Sequence, residues 1–104
     1  MLLATSDIVA GKDIIETLGL VKGNSVQSRN IGRDMMAGLR NIVGGEMKEY
    51  AEMLVRSREI ATQAMEEEAR QLGADAIVGV RYATSSVMDG TSEVLVYGTA
   101  VKLR

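Results

Sequence analysis

The segment from Glu46 to Leu72 constrains the fold more than any other part of the chain. Met47, Ala51, Leu54, Ala61, Met65, Ala69 and Leu72 recur at steps of three and four residues, with one gap at Arg58. That is the spacing of an apolar stripe along an α-helix. Glu52 with Arg56, and Glu66 with Arg70, stand four residues apart in acid-first order on the polar side, which favours the helix further. Gly73 stands where a C-terminal glycine cap belongs. At 1.5 Å per residue such a helix is about 40 Å long. A compact domain of 104 residues has a radius of gyration near ~13 Å and a diameter of about 33 Å. One helix therefore spans the whole subunit.

The remaining chain must be arranged around that rod. It contains no proline, so glycine supplies most of the punctuation. Ile14 to Val26 is rich in β-branched and aliphatic residues and reads as one long strand, bent or bulged at Gly19 and Gly23. Asn30 to Ile42 places Ile31, Met35, Leu39 and Ile42 at helical spacing, predicting a short helix that ends at Gly44-Gly45. Two further strands, Ala76 to Thr84 and Glu93 to Leu103, flank a turn signal at Asp89-Gly90. Closed symmetrically about that turn, the hairpin sets Tyr82 opposite Tyr97 and Val80 opposite Thr99, with Val78 opposite Val101 and Ala76 opposite Leu103. The other surface then pairs Gly79 with Ala100 and Arg81 with Gly98, thin enough for a helix to lie close.

The expected fold class is α+β in the order β-α-α-β-β. It has a three-stranded, mainly antiparallel sheet packed on one long helix, as a single domain over residues 1–104. A single helix covers only one face of such a sheet. The other face and two open edges are left needing a partner, so the chain is expected to form a homo-oligomer.

Composition narrows the chemistry. The chain has no Cys, His, Trp or Phe, which removes thiol nucleophiles, imidazole bases and thiolate or imidazole metal ligands. Twelve basic against fourteen acidic residues leave a net charge of −2, too balanced to imply nucleic acid or an anionic membrane as partner. The charges are unevenly placed: Arg29, Arg33 and Arg40 against Asp34 in one segment, eight acids against four bases over residues 46–75. No apolar run approaches the ~20 residues that cross a bilayer. The opening residues Met1 to Asp7 lack a basic region followed by a long apolar one. With no cysteine, the expectation is a cytoplasmic protein.

Three stretches together carry a family resemblance: Asn30 to Asp34 running on through Gly38 to Gly45, Leu72 to Val80, and Tyr97 to Val101. In order and spacing the chain resembles the YbjQ-like family of small proteins over essentially its whole length. The resemblance implies a dodecin-like subunit, assembled as a ring-shaped homopentamer, and brings a heavy-metal-binding label without an assigned chemistry. Soft metals prefer thiolate or imidazole, and this chain offers only carboxylates and seven Met thioethers. Met35 and Met36 are adjacent in the sequence and point about 100° apart on a helix, so Met reads as flexible core filler.

The candidate site residues are Arg33, Asp34, Arg40, Gly44, Gly45 and Arg81. Gly44-Gly45 opens the long helix, where bare N–H groups can hold an anion with Arg33 and Arg40 as counter-charge. Glu46 and Glu49 already satisfy that helix end, which favours a hinge between two helices. Arg33, Asp34 and Arg40 read as an intersubunit ion-pair network or a ligand site. Arg81 is expected to reach a carboxylate of the long helix or to line a channel of the ring. Tyr50, Tyr82 and Tyr97 read as packing residues with bonded hydroxyls. Ser85, Ser86 and Thr91 have no adjacent base, so no enzyme and no cofactor is expected. The sequence points to a non-catalytic, self-associating protein whose expected role is assembly, with small-ligand binding or storage beside it. The alternatives are a metal binder using carboxylates or thioethers and a dodecin-type flavin binder stacking on Tyr.

Overall fold

The computed structural model describes residues 1–28, 45–88 and 91–104. The short helix expected over 30–42 lies outside the described residues. In chain order the elements are β1 (Leu2–Leu3), β2 (Ile14–Ser28), α1 (Gly45–Gln71), β3 (Ala76–Met88) and β4 (Thr91–Leu103). The strands form one sheet in the order β1-β3-β4-β2. β4 runs antiparallel to both neighbours, whereas β1 is parallel to β3. The sheet thus has four strands where three were expected. The fourth, Leu2–Leu3, is too short for any periodicity to register.

α1 matches the expected bounds to within one residue. Its buried stripe is Ser57, Ala61, Met65 and Ala69, a four-residue row in which Ser57 fills the gap expected at Arg58. The helix ends in a full Schellman motif: Gly73 N–H donates to the Arg70 carbonyl, and Ala74 N–H to the Ala69 carbonyl. Gly73 takes φ +79°, the left-handed geometry this cap requires. Leu72, assigned to the stripe from its spacing, is carried past the helix end and is exposed.

The helix packs over β2 and β4 rather than β3. Met65, Ala61 and Ala69 meet Val21 of β2, Val94, Val96 and Ala100 of β4, and Ile77 and Val80 of β3. Full burial of a side chain the size of Met65 stabilises by about 1.5–3 kcal/mol. Gly23 sits directly beneath the helix, and a Cβ built there would overlap the Ala61 carbonyl oxygen and lie 2.6 Å from the Met65 nitrogen. Gly19, by contrast, lies at a β-bulge with φ +130°, so only the first of the two expected irregularities is a bulge.

The hairpin register differs from the symmetric one. Arg81 pairs with Tyr97 and Tyr82 with Val96, while Val78 pairs with Thr99 and Ala76 with Val101. Two irregularities cause the offset, one between Ser86 and Met88, the other between Val78 and Arg81. Gly79 lies in the second with φ +62°. Each inserts an unpaired residue on β3 and turns the residues beyond it to the opposite face. Tyr82 therefore lies on the helix side and Tyr97 on the far side.

That far side is partly covered. Residues 4–13 fold back across one end of it, where Val9 joins Ala76, Val78 and Val101 in a second small core. The strap is tied by Val80 N–H to the Ala4 carbonyl and Gly79 N–H to the Ser6 carbonyl. The molecule measures 54 × 22 × 16 Å with a radius of gyration of 17.2 Å, against about 13 Å for a compact chain of this length.

Candidate functional site

Of the six candidate residues, Arg33, Asp34, Arg40 and Gly44 lie outside the described residues. Gly45 is the first residue of α1. Arg81 does not reach a carboxylate of the helix. The register offset places it on the opposite face, where Nη1 donates to the carbonyls of Thr5 and Val80, both at 2.9 Å. It fastens the N-terminal strap to the sheet.

The open part of the far face is built by cross-strand rows. Lys22, Tyr97 and Arg81 share one row; Asn24, Leu95 and Ala83 the next; Val26, Glu93 and Ser85 the third. Residues in one row point to one side. Leu20 is 64% exposed, Val26 54% and Tyr97 40%, and Asn24 Nδ2 donates to Glu93 at 3.4 Å. Tyr97 stands between two cations, a flat aromatic surface rather than a cavity.

On the helix side an open groove of roughly 700 Å³ runs between α1 and the outer half of β3, lined by Val55, Arg58, Glu59, Thr62, Glu66 and Tyr82. It exists because α1 lies mainly over β2 and β4 and leaves the outer half of β3 uncovered. The Thr62 hydroxyl donates to the Arg58 carbonyl at 2.7 Å, so at its 2.9 Å contact with the Tyr82 hydroxyl it accepts. The Thr62 proton is thereby given to a backbone carbonyl and not to a carboxylate. Glu66 pairs with Arg70 at 3.1 Å, as its spacing predicted, and Glu67 joins at 3.4 Å. At the helix surface such pairs stabilise by about 0.3–0.5 kcal/mol. Sequence reasoning missed the groove, because it depends on which strands the helix chooses.

A heavy-metal centre does not fit the described residues. Among the described residues no three carboxylates converge, and the chain has no thiol or imidazole to add. Met65, the best buried thioether among the described residues, is fully enclosed in the apolar core. Among the described residues no helix is long and apolar enough to cross a membrane.

Comparison with known proteins gives a consistent picture. The whole chain, residues 1–104, matches the model of the YbjQ family, whose description reads "Putative heavy-metal-binding". It is 58% identical to a UPF0145 protein of Vibrio parahaemolyticus, over 99% of this chain and 98% of that one. A UPF0145 protein of Clostridium novyi is 55% identical over 99% of both chains. One of Methanosarcina acetivorans is 52% identical over 99% of this chain and 97% of its own. A crystal structure of a DUF74-family protein of unknown function from Pediococcus pentosaceus aligns with a TM-score of 0.67 at 22% identity. That alignment covers 100% of this chain and 98% of the other, and it shows the same fold.

Proposed function

We propose that this chain, which belongs to the YbjQ family of UPF0145 proteins, is a non-catalytic cytoplasmic subunit whose working form is an assembly of its own copies. One observation carries the reading. The surface left uncovered by α1 and the strap carries exposed apolar side chains among its polar ones and is larger than that of a compact monomer. Leu20, Val26 and Tyr97 are open to water on the far face, and Val55 and Ile60 on the helix. The subunit exposes 6771 Å², whereas a compact monomer of 11.2 kDa exposes about 5,700 Å². The excess of about 1,000 Å² is close to the ~800 Å² that each partner contributes to a standard interface.

A ring of five is the stoichiometry that the family resemblance supplies. Within such an assembly, Arg33, Asp34 and Arg40 serve contacts between subunits, and small-ligand holding is confined to subunit boundaries. Static light scattering on the purified chain tests the reading: a mass several times 11.2 kDa supports it, and a monomer overturns it.

A further inference from the structure

Tyr97 stands in the middle of the sheet on the face that α1 does not cover. Its strand, β4, has β3 on one side and β2 on the other, so the side chain rises from a continuous backbone floor. The residue is nonetheless 40% exposed. Tyr82 does not stack beside it, because the irregularity at Gly79 turns Tyr82 to the helix side. Among the described residues the Tyr97 hydroxyl has no hydrogen-bond partner.

Both cross-strand neighbours of Tyr97 are cations, Lys22 on β2 and Arg81 on β3. With two strand spacings between them, their Cα atoms lie about 10 Å apart, one on each side of the ring. Neither meets a carboxylate, since the ion pairs among the described residues are those of Arg70. Lys22 is exposed. Arg81 commits Nη1 to the carbonyls of Thr5 and Val80, which leaves the Nε and Nη2 donors of the guanidinium. Of the acids nearby, Glu93 lies two rows away and accepts from Asn24, and Asp7 of the strap lies beside Gly79. Leu20 on β2 and Leu95 on β4 border the row with apolar surface.

Resting on the reading above, which counts Tyr97 in the surface that an assembly covers and places small ligands at subunit boundaries, we infer that this row binds a flat aromatic ring carrying a phosphate or carboxylate. The ring stacks on Tyr97, and the anionic group is held by Lys22 or Arg81 in charge-assisted hydrogen bonds. An anion without a ring gains only exposed charge contacts, which contribute little in water. A ring without an anion gains only the stacking. The row selects the ligand that has both. Apolar side chains of a neighbour laid over it would bury Lys22 without a counter-charge, and the anion supplies one.

The chain has three Tyr, so the wild-type protein with isotope-labelled tyrosine rings reports the site by nuclear magnetic resonance, with Tyr82 on the opposite face as internal control. Adenosine monophosphate and benzoate represent the two sources of this chemistry, a nucleotide and a simple aromatic acid. Adenosine supplies a ring alone and inorganic phosphate an anion alone. The expected result is a saturable shift of the Tyr97 signals, with Tyr82 unmoved, for at least one aromatic anion, and the tighter of the two identifies the source. That ligand should bind about tenfold more tightly than inorganic phosphate or adenosine. By calorimetry Tyr97→Leu should weaken it about tenfold, whereas Tyr97→Phe, which keeps the ring, should bind as wild type. Lys22→Gln should weaken it and Lys22→Arg should not. Equal affinity for inorganic phosphate, or full affinity in Tyr97→Leu, would overturn the inference. A multimer whose Tyr97 signals do not move overturns the site and leaves assembly standing. A monomer whose Tyr97 signals move and saturate does the reverse.

Discussion

Gly23 shows how a single residue can be placed by a partner far along the chain. The sequence around it reads as a strand bend, yet the backbone there is regular and keeps register with β4. What requires glycine is α1, whose Ala61 and Met65 backbone atoms lie where a Cβ would sit. Backbone atoms inside a helix cannot give way individually. Gly23→Ala is therefore expected to cost about 1–3 kcal/mol, read as a lower urea midpoint. An unchanged midpoint would mean that the helix is not seated on β2. Ser57 makes the opposite case. It is 1% exposed and among the described residues its hydroxyl has no hydrogen-bond partner, a burial that costs about 1–3 kcal/mol when left uncompensated. Ser57→Ala removes the orphaned group and raises helix propensity, so it should raise the midpoint by about 0.5–1 kcal/mol of stability. A loss of stability would reveal a partner for that hydroxyl.

At the scale of elements, legibility tracked the range of the interactions involved. α1 could be read to within a residue because a 3.6-residue period, the Glu66–Arg70 pair and a Gly73 cap are all local to it. The cap is also testable. An L side chain at φ +79° is strained by about 1–2 kcal/mol, so Gly73→Ala should lower thermal stability and increase amide exchange in the last turn of α1. Equal exchange in both proteins would argue against the Schellman geometry. The hairpin was legible only in part. Asp89-Gly90 marked the break between β3 and β4, but Ser85 and Ser86, weak strand formers, are held in β3 by Glu93 and Ser92 opposite them. Two irregularities then moved Tyr82 and Tyr97 to opposite faces, and with them Arg81. Bulges change register by single residues and leave little trace in a pattern of period two. The candidate site was least legible for the same reason: Arg81 owes its place to Gly79, and the groove owes its existence to the strands on which α1 settled.

At the scale of the molecule, the long helix set the expectation of a subunit shaped by a rod, and the strands proved longer still. β2 has 15 residues and β3 and β4 have 13 each, giving a blade 54 Å long and 16 Å thick. A blade of these proportions buries its main core on one side, and the strap's small second core closes just one end of the other. The assembly proposed above rests on that geometry; among the described residues no three carboxylates converge on a metal centre, and the Thr62 hydroxyl is committed to bonds within the fold. The most direct test is the mass of the purified wild-type chain in solution, measured by light scattering at micromolar concentration. The structure predicts a single species several times heavier than 11.2 kDa, and a stable species at 11.2 kDa would contradict it.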